Sequence, residues 1–191
     1  MRTPCPAKND DILPEPPAHR PLDRHACPLK TLLVIAYSRT GGTRQMADAA
    51  IHAAAQEGDV TVRSLNADAA GPDDLIAADG YLFATPENLA SMAGAMKEFF
   101  DRCYYPVLGR IDGRPYASLI CAGSDGHGAA RQIERIATGW RLRAVAPPTI
   151  VCTHAQTPEA ILASKTIARD DLARCAEIGQ TLTAGLALGI W

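Results

Sequence analysis

Three hydroxyl side chains and two glycines follow the first apolar run of the chain. Ser38, Thr40 and Thr43 supply hydroxyl donors, and Gly41 and Gly42 have no Cβ that would keep an anion away from the backbone N–H groups. A helical pattern begins near Thr43, so the positive end of a helix dipole lies in the same place. Residues 31–43 therefore predict a strand, a phosphate-binding loop without a lysine, and a helix N-terminus.

Two better-known glycine loops do not fit these residues. A P-loop needs a lysine after its second glycine, and the dinucleotide fingerprint needs G-x-G-x-x-G. The spacing S-x-T-G-x-T resembles the phosphate loop of flavodoxins, which follows the first strand and binds the phosphate of FMN. Arg39 is a candidate to neutralise phosphate charge, with a solvated loop arginine as the alternative. The alternative for the whole segment is an ordinary turn with Thr43 as the helix cap.

A second segment, ATPENLASMAGAMKEFFDR at residues 84–102, follows the third apolar run. It resembles the flavodoxin-like NAD(P)H:quinone reductases of the Trp-repressor-binding-protein group and related FMN reductases. The resemblance is carried by Thr85, Pro86, Ser91, Met92, Gly94, Met96, Lys97, Phe99 and Asp101. Met92, Met96 and Phe99 also fit the buried stripe of an amphipathic helix. The candidates for framing a flavin ring are Pro86, Glu87, Asn88, Leu89, Ser91 and Met92.

A third candidate loop follows the fourth apolar run and resembles the third flavin loop of the same group. Its glycines allow a ring system to approach the backbone closely. His127 is the one candidate for a catalytic role, as an imidazole that hydrogen-bonds a quinone or nicotinamide oxygen, and the alternative is a solvated loop histidine. The cofactor-binding candidates in this loop are Gly123, Ser124, Asp125, Gly126, His127 and Gly128.

These loops require a scaffold that brings them together. Five strand-like runs alternate with helical patterns after residue 30, which predicts an α/β fold with a doubly wound parallel sheet and helices on both faces. Pro147 and Pro148 interrupt the fifth run, and a strand without two backbone donors is tolerated at a sheet edge. The flavodoxin-like order 2-1-3-4-5 places that strand at an edge and gathers loops 38–43, 85–92 and 123–128 in one crevice.

Composition limits the classes of function. The net charge of −2 gives no electrostatic reason to expect nucleic acid or membrane partners. The six cysteines include no C-x-x-C pair and the five histidines are scattered, so we expect no metal site. Residues 1–29 contain seven prolines and almost no apolar periodicity, which predicts a flexible arm before a domain at 30–191. Without a signal or membrane segment, we expect a cytoplasmic location.

The resemblance implies an FMN-dependent oxidoreductase. Hydride would pass from NADH or NADPH through flavin N5 to a quinone or similar small acceptor, and a homodimer or homotetramer is expected. The second and third loops contain no Trp, Tyr or Phe, so one ring face would stay open to a substrate. That openness and the near-neutral charge disfavour the first alternative, a flavodoxin-type electron carrier. The second alternative is an interaction module that has lost FMN.

Overall fold

The computed structural model of the chain describes residue 1 and residues 29–191, so the expected arm lies almost entirely outside the described residues. Strands and helices alternate along the described part. The strands are β1 (Lys30–Ala36), β2 (Val60–Asn66), β3 (Gly80–Asn88), β4 (Ser91–Met92), β5 (Pro115–Ala122), β6 (Arg143–Ala144) and β7 (Thr149–Cys152). The helices are α1 (Gly42–Ala54), α2 (Pro72–Ala77), α3 (Gly94–Val107), α4 (His127–Gly139), α5 (Pro158–Leu162) and α6 (Arg169–Leu188).

The sheet has the order β2-β1-β3-β5 and ends in a broken edge strand, which confirms the predicted flavodoxin-like fold. β6 and β7 are the two halves of that edge strand, and both pair with β5 in parallel. Pro147 and Pro148 lie between the halves, where the pairing with β5 is interrupted; such an interruption is tolerated because this strand is at the edge of the sheet. The prolines therefore divide the fifth strand at the position that the sequence predicts.

Two apolar layers cover the sheet. On one face, Val34 of β1 is buried beneath Met46 of α1 and Leu182 of α6. On the other face, Phe83 of β3 packs against Phe99 of α3, and their ring centroids are 6.5 Å apart. Burial on both faces is the reason that the central strands are continuously apolar rather than alternating.

The third strand is longer than the sequence analysis predicts. The expected loop at residues 85–88 is instead the end of β3, which turns back through Leu89 and Ala90 and pairs with β4 in an antiparallel hairpin. Ala93 donates its N–H to the Thr85 hydroxyl at 3.2 Å, so a hydroxyl that was expected in a loop fixes the base of this hairpin. The first part of the second candidate segment is thus a hydrogen-bonded hairpin rather than a loop.

Within residues 29–191, no helix combines the length and the apolar character that crossing a membrane requires.

Candidate binding site at the carboxyl ends of the strands

A crevice opens where the carboxyl ends of β1, β3 and β5 meet. It contains two adjoining cavities, an inner one of about 60 Å³ beside the start of α1 and an outer one of about 470 Å³ beside the β3–β4 hairpin. The inner cavity is lined by Ser38, Arg39, Thr40, Thr43, Pro86, Glu87, Asn88, Cys121, Ala122, Gly123, Thr153, Ala155, Ile161 and Lys165. The outer cavity is lined by Arg39, Glu87, Asn88, Leu89, Ala90, Gly123, Ser124, Ala155 and Ile161.

The start of α1 has the geometry of an anion site. Gly41 is the residue that precedes the helix, with φ at +86°, and as a glycine it has no side chain to cap the helix end. Ser38 closes the loop by accepting the Arg44 N–H at 3.2 Å. Because Gly41 holds the cap position, Thr43 is not the helix cap of the alternative interpretation; it is buried and lines the inner cavity. The remaining N–H groups of the first turn, the hydroxyl groups and the helix dipole together favour a bound phosphate.

A glycine is needed at position 42 because the neighbouring side chains leave no room for a Cβ, not because of its backbone conformation. A Cβ at this position would lie 2.6 Å from the Cys121 sulfur and 3.2 Å from the Lys165 Cβ. Burial raises the pKa of the Cys121 thiol, although the positive charge of Lys165 and a hydrogen bond with Thr43 act in the other direction. The thiol is therefore neutral at physiological pH and adds no negative charge beside the anion site.

The segment at residues 153–168, between β7 and α6, passes over the inner cavity; we call it the strap. The Lys165 N–H donates to the Thr40 carbonyl at 2.8 Å, which joins the strap to the first loop. Gln45 of α1 donates to the Lys165 carbonyl at 2.6 Å and accepts the Ile167 N–H at 3.1 Å. Three backbone groups of the strap are thus satisfied by the first loop and α1.

Glu87 joins the hairpin to the third loop. Its two carboxylate oxygens accept N–H groups from Gly126 at 2.8 Å and from Ala129 at 2.9 Å, at the N-terminus of α4. Gly128 packs so closely on the hairpin turn that a Cβ there would lie 2.2 Å from the Ala90 carbonyl oxygen. A carboxylate at a helix N-terminus is stabilised by the helix dipole, so Glu87 holds the wall of the crevice.

The structure brings together most, but not all, of the predicted site residues. Ser38, Arg39, Thr40 and Thr43 line the inner cavity, while Gly41 and Gly42 form the start of α1 beside it. From the second segment, Pro86, Glu87, Asn88 and Leu89 line one or both cavities. From the third loop, the residues that line a cavity are Gly123 and Ser124.

Other predicted site residues do not line either cavity and contact protein groups instead. Ser91 donates its hydroxyl to Gln132 of α4 at 2.9 Å, and Met92 donates its N–H to the same oxygen at 3.0 Å. The Asp125 carbonyl faces the Cys152 sulfur at 3.7 Å. A Cβ at Gly126 would lie 2.5 Å from Ile150, so this glycine packs against the edge strand. These residues contact α4 and the edge strand next to the crevice.

His127 is the first residue of α4 and its side chain is exposed. It lies outside the sets of residues that line the inner and outer cavities. Its role in catalysis stays a prediction.

Sequence reasoning missed the strap. Thr153, Ala155, Ile161 and Lys165 line the crevice, and Gly123 must be glycine because a Cβ there would lie 2.9 Å from the Ala155 carbonyl oxygen. The Thr157-Pro158 pair that begins α5, with the Thr157 hydroxyl accepting the Ala160 N–H, was a visible helix-start signal. Nothing in the local pattern indicated that this short helix would return to the first loop.

Comparison with protein families and curated proteins gave two matches. The model of a family described as NADPH-dependent FMN reductase matches residues 29–157. A flavodoxin from Aquifex aeolicus (strain VF5) is 33% identical over 97 residues, which are 51% of this chain and 52% of that flavodoxin. The match with this curated relative thus spans about half the length of each protein.

Solved structures show the same fold at low identity. An archaeal flavodoxin has a TM-score of 0.66 and 17% identity over 82% of this chain and 98% of its own. A WrbA-like flavodoxin from Agrobacterium tumefaciens has a TM-score of 0.65 and 16% identity, covering 83% and 98%. An oxidoreductase from Corynebacterium diphtheriae has a TM-score of 0.60 and 24% identity, covering 84% and 98%. All three comparisons support the doubly wound architecture.

Proposed function

The chain belongs to the NADPH-dependent FMN reductase family, and on that premise we propose that it passes hydride from NAD(P)H through FMN to a quinone or a similar small acceptor. The observation that carries the proposal is the glycine-led N-terminus of α1, which adjoins a small cavity lined by hydroxyl groups and, next to it, a larger cavity. The inner cavity would hold the phosphate of FMN, and the outer cavity would hold its flat ring.

The residues of the inner cavity fit the phosphate of FMN. The Thr43 hydroxyl is buried and lies at the start of α1, and the Thr40 and Ser38 side chains lie beside it. Arg39 lines both cavities and supplies a positive charge to offset the phosphate dianion. The neutral Cys121 thiol adds no repulsion. These side chains would bind the phosphate and the start of the ribityl chain.

The residues of the outer cavity fit a flavin ring whose outer face is open. A volume of about 470 Å³ is within the usual range of small-molecule sites. Asn88, Gly123 and Ser124 offer polar backbone and side-chain groups for the ring edge. Leu89 and Ile161 are exposed aliphatic side chains that line this cavity, so apolar contact with the ring would come from these residues instead of from an aromatic stack.

Bound FMN supplies hydride acceptance and donation at its N5 atom. The chain's own residues would bind and orient it. Glu87 fixes the hairpin to the third loop, so these two segments would border the flavin on one side. Gln45 of α1 and the first loop hold the strap over the inner cavity through Lys165, and the side of the outer cavity beside Leu89 would admit first the donor and then the acceptor.

The acceptor, the assembly and the location are further parts of the proposal. Leu89, Ile161 and Leu162 are exposed near the mouth and suit an apolar quinone ring or a second copy of the chain. A homodimer or homotetramer would cover these side chains, and a particle of 20.3 kDa in light scattering would contradict it. The four described cysteines are free thiols, which supports a reducing, cytoplasmic setting.

The central experiment is a titration of the purified protein with FMN, followed by anaerobic addition of NADPH or NADH and then of a quinone. We expect a flavin absorbance band that bleaches with the donor and returns with the quinone. A protein that binds FMN but is not bleached by either donor would contradict the proposed reaction.

A variant tests the anion site itself. Replacing both Thr40 and Thr43 by valine should weaken FMN binding at least about tenfold, because two hydroxyl contacts to the phosphate are lost. Riboflavin, which lacks the phosphate, should bind both proteins equally. The matched control is Thr61→Val at an exposed position of β2. Undiminished FMN affinity in the double variant would refute the assignment.

The similarity to the Aquifex aeolicus flavodoxin favours one second candidate, an FMN-carrying electron-transfer protein. A carrier stabilises a one-electron-reduced flavin and turns over slowly with nicotinamide donors. Photoreduction in the presence of FMN separates the two: accumulation of a long-lived one-electron state, with no NADPH oxidation, would support the carrier and contradict the reductase.

A further inference from the structure

A wide groove of about 910 Å³ runs along α4, outside the crevice already described. It adjoins the outer cavity at the hairpin turn, because Ala90 lines both. From there it follows Gly128, Arg131, Arg135 and Thr138 along the helix. The groove is therefore a surface path that begins beside the proposed ring site.

Two arginines line the groove. Arg131 and Arg135 are spaced by four residues, so they share one face of α4 and lie about 6 Å apart along the helix axis. Both side chains are exposed. Within residues 29–191, Arg131 and Arg135 take part in none of the ion pairs, whereas Arg44, Arg63, Arg102, Arg141 and Arg174 each pair with a carboxylate. Two guanidinium groups are thus available to a ligand.

The floor of the groove is firmly joined to the crevice. The Gln132 side-chain oxygen accepts both the Ser91 hydroxyl and the Met92 N–H, which fixes α4 against β4. Glu87 fixes the start of the same helix from the other side. A molecule that reaches from the crevice into the groove would therefore meet arginines at defined positions relative to the ring.

We propose that this groove binds the adenosine end of the nicotinamide donor, with Arg131 at the pyrophosphate and Arg135 at the 2′-phosphate. The inference rests on the proposed function and deepens it, since it makes NADPH the preferred donor. The arginine fork binds phosphate oxygens in a bidentate manner. Continuity with the ring site explains why a long, multiply anionic dinucleotide fits better here than a small anion.

The groove also contains one opposing charge. Glu134 lies between the two arginines in sequence and lines both this groove and a separate cavity beside Pro147. Its carboxylate would repel a phosphate in the groove. Removing that charge should strengthen NADPH binding, which provides a test of opposite sign on the same helix.

The kinetic test compares Arg135→Gln, Arg131→Gln and the parent holoenzyme with both donors. For Arg135→Gln we expect the KM for NADPH to rise about tenfold with kcat little changed, and the KM for NADH to stay constant, because one charged contact to the 2′-phosphate is lost. For Arg131→Gln both KM values should rise. Glu134→Gln should lower the KM for NADPH.

The matched control is Arg110→Gln, an exposed arginine between α3 and β5 at the opposite end of the sheet. This substitution changes the side chain and the net charge in the same way as Arg131→Gln and Arg135→Gln. It therefore distinguishes the loss of a contact in the groove from a general effect of the lower net charge. Kinetic values for Arg131→Gln and Arg135→Gln that equal those of this control would overturn the groove assignment.

A binding measurement gives a readout that does not depend on turnover. Calorimetry with adenosine 2′,5′-bisphosphate and with 5′-AMP, which lacks only the 2′-phosphate, should show tighter binding of the former, and Arg135→Gln should remove the difference. Equal affinity for both nucleotides in the parent protein would overturn the proposal. The FMN affinity should be the same in all variants. If the parent protein binds FMN and oxidises NADPH but the variants do not change nucleotide binding, the groove assignment alone is refuted. If the parent protein oxidises neither donor, the proposed function is refuted.

Discussion

Glu87 shows how one side chain can shape a binding site through the backbone. It projects from the end of β3 and accepts two N–H groups at the start of α4, 39 and 42 residues further along the chain. Since helix N-termini carry unsatisfied donors and a positive dipole, a carboxylate is a favourable partner there. The sequence analysis placed Glu87 beside the ring, and the structure adds that it holds two of the three loops together.

Replacing Glu87 by glutamine tests this role. The amide keeps one acceptor oxygen but loses the second acceptor and the charge, so the free energy of unfolding should fall by about 1–2 kcal/mol. Urea denaturation measures it, with Glu57→Gln at an exposed position after α1 as the control. Equal stability of Glu87→Gln and the control would show that the two hydrogen bonds contribute nothing.

The hairpin turn is strained at two neighbouring residues. Leu89 and Ala90 have φ values of +52° and +57°, a region that favours glycine and asparagine, and the Leu89 side chain is fully exposed beside the outer cavity. Strain of this kind is retained at functional sites. An exposed leucine in this turn is consistent with a contact to a ring or to a second subunit.

Changing Leu89 to asparagine together with Ala90 to glycine should relieve that strain. The pair is the preferred one for such two-residue turns, so the free energy of unfolding should rise by about 1–2 kcal/mol. Thermal unfolding measures the change, and Leu162→Asn, at another exposed leucine, controls for the new side chain. A lower melting temperature would mean that Leu89 makes a stabilising contact.

Among the elements, α1 and the strap form the closest functional pair. Gln45 lies one turn into α1, and its amide reaches the strap 120 and 122 residues later in the sequence. The same amide nitrogen contacts the Gly41 carbonyl, so one side chain links the first loop, the helix and the strap. The shape of the inner cavity therefore depends on an element that follows the last strand.

Gln45→Ala should weaken this link. The Ile167 N–H and the Lys165 carbonyl would lose their partner, and we expect the free energy of unfolding to fall by about 1–3 kcal/mol. FMN affinity should decrease more than riboflavin affinity, because the change lies at the phosphate end. Gln56→Ala, at the exposed end of α1, is the control. Equal losses for the two ligands would argue against a role at the phosphate.

For the whole molecule, the end of the sheet opposite the crevice contributes to stability through Asp79. This residue leads into β3 and accepts the Thr31 N–H at 2.8 Å and the Lys30 ammonium at 2.9 Å. Burial alone would raise the pKa of the Asp79 carboxyl, but these two bonds and the charges of Lys30 and Arg114 outweigh it and lower the pKa. The ionised form is therefore favoured by folding.

The sign of the pH dependence follows from that lowered pKa. The stabilisation from Asp79 should be complete above its ordinary value of 3.8 and should disappear as the pH falls through the lower folded value. Asp79→Asn should thus be less stable than the parent at pH 7 and equally stable at strongly acidic pH. Denaturation curves at both pH values measure it, with the exposed Asp59→Asn as the control. A deficit that persists at acidic pH would contradict the assignment.

Much of the architecture was determined by local sequence. Alternating apolar runs and helical patterns predicted the strands, and Pro147 and Pro148 placed the fifth strand at the edge, because a missing backbone donor acts wherever the residue stands. The first loop could be found for a similar reason. Ser38, Thr40 and Thr43 lie within one short turn and line the same cavity, so their spacing alone indicates a candidate phosphate loop.

Only the tertiary structure decided the rest of the site. Gly126 packs against β7 and Gly128 against the hairpin turn, the strap returns to Thr40, and Arg131 and Arg135 line a groove that meets the outer cavity at Ala90. Each of these facts is a contact between segments far apart in the chain. In the sequence, these are ordinary loop or helix-surface residues. Their partners come from distant segments and are brought close only by folding, so no local pattern could reveal these contacts.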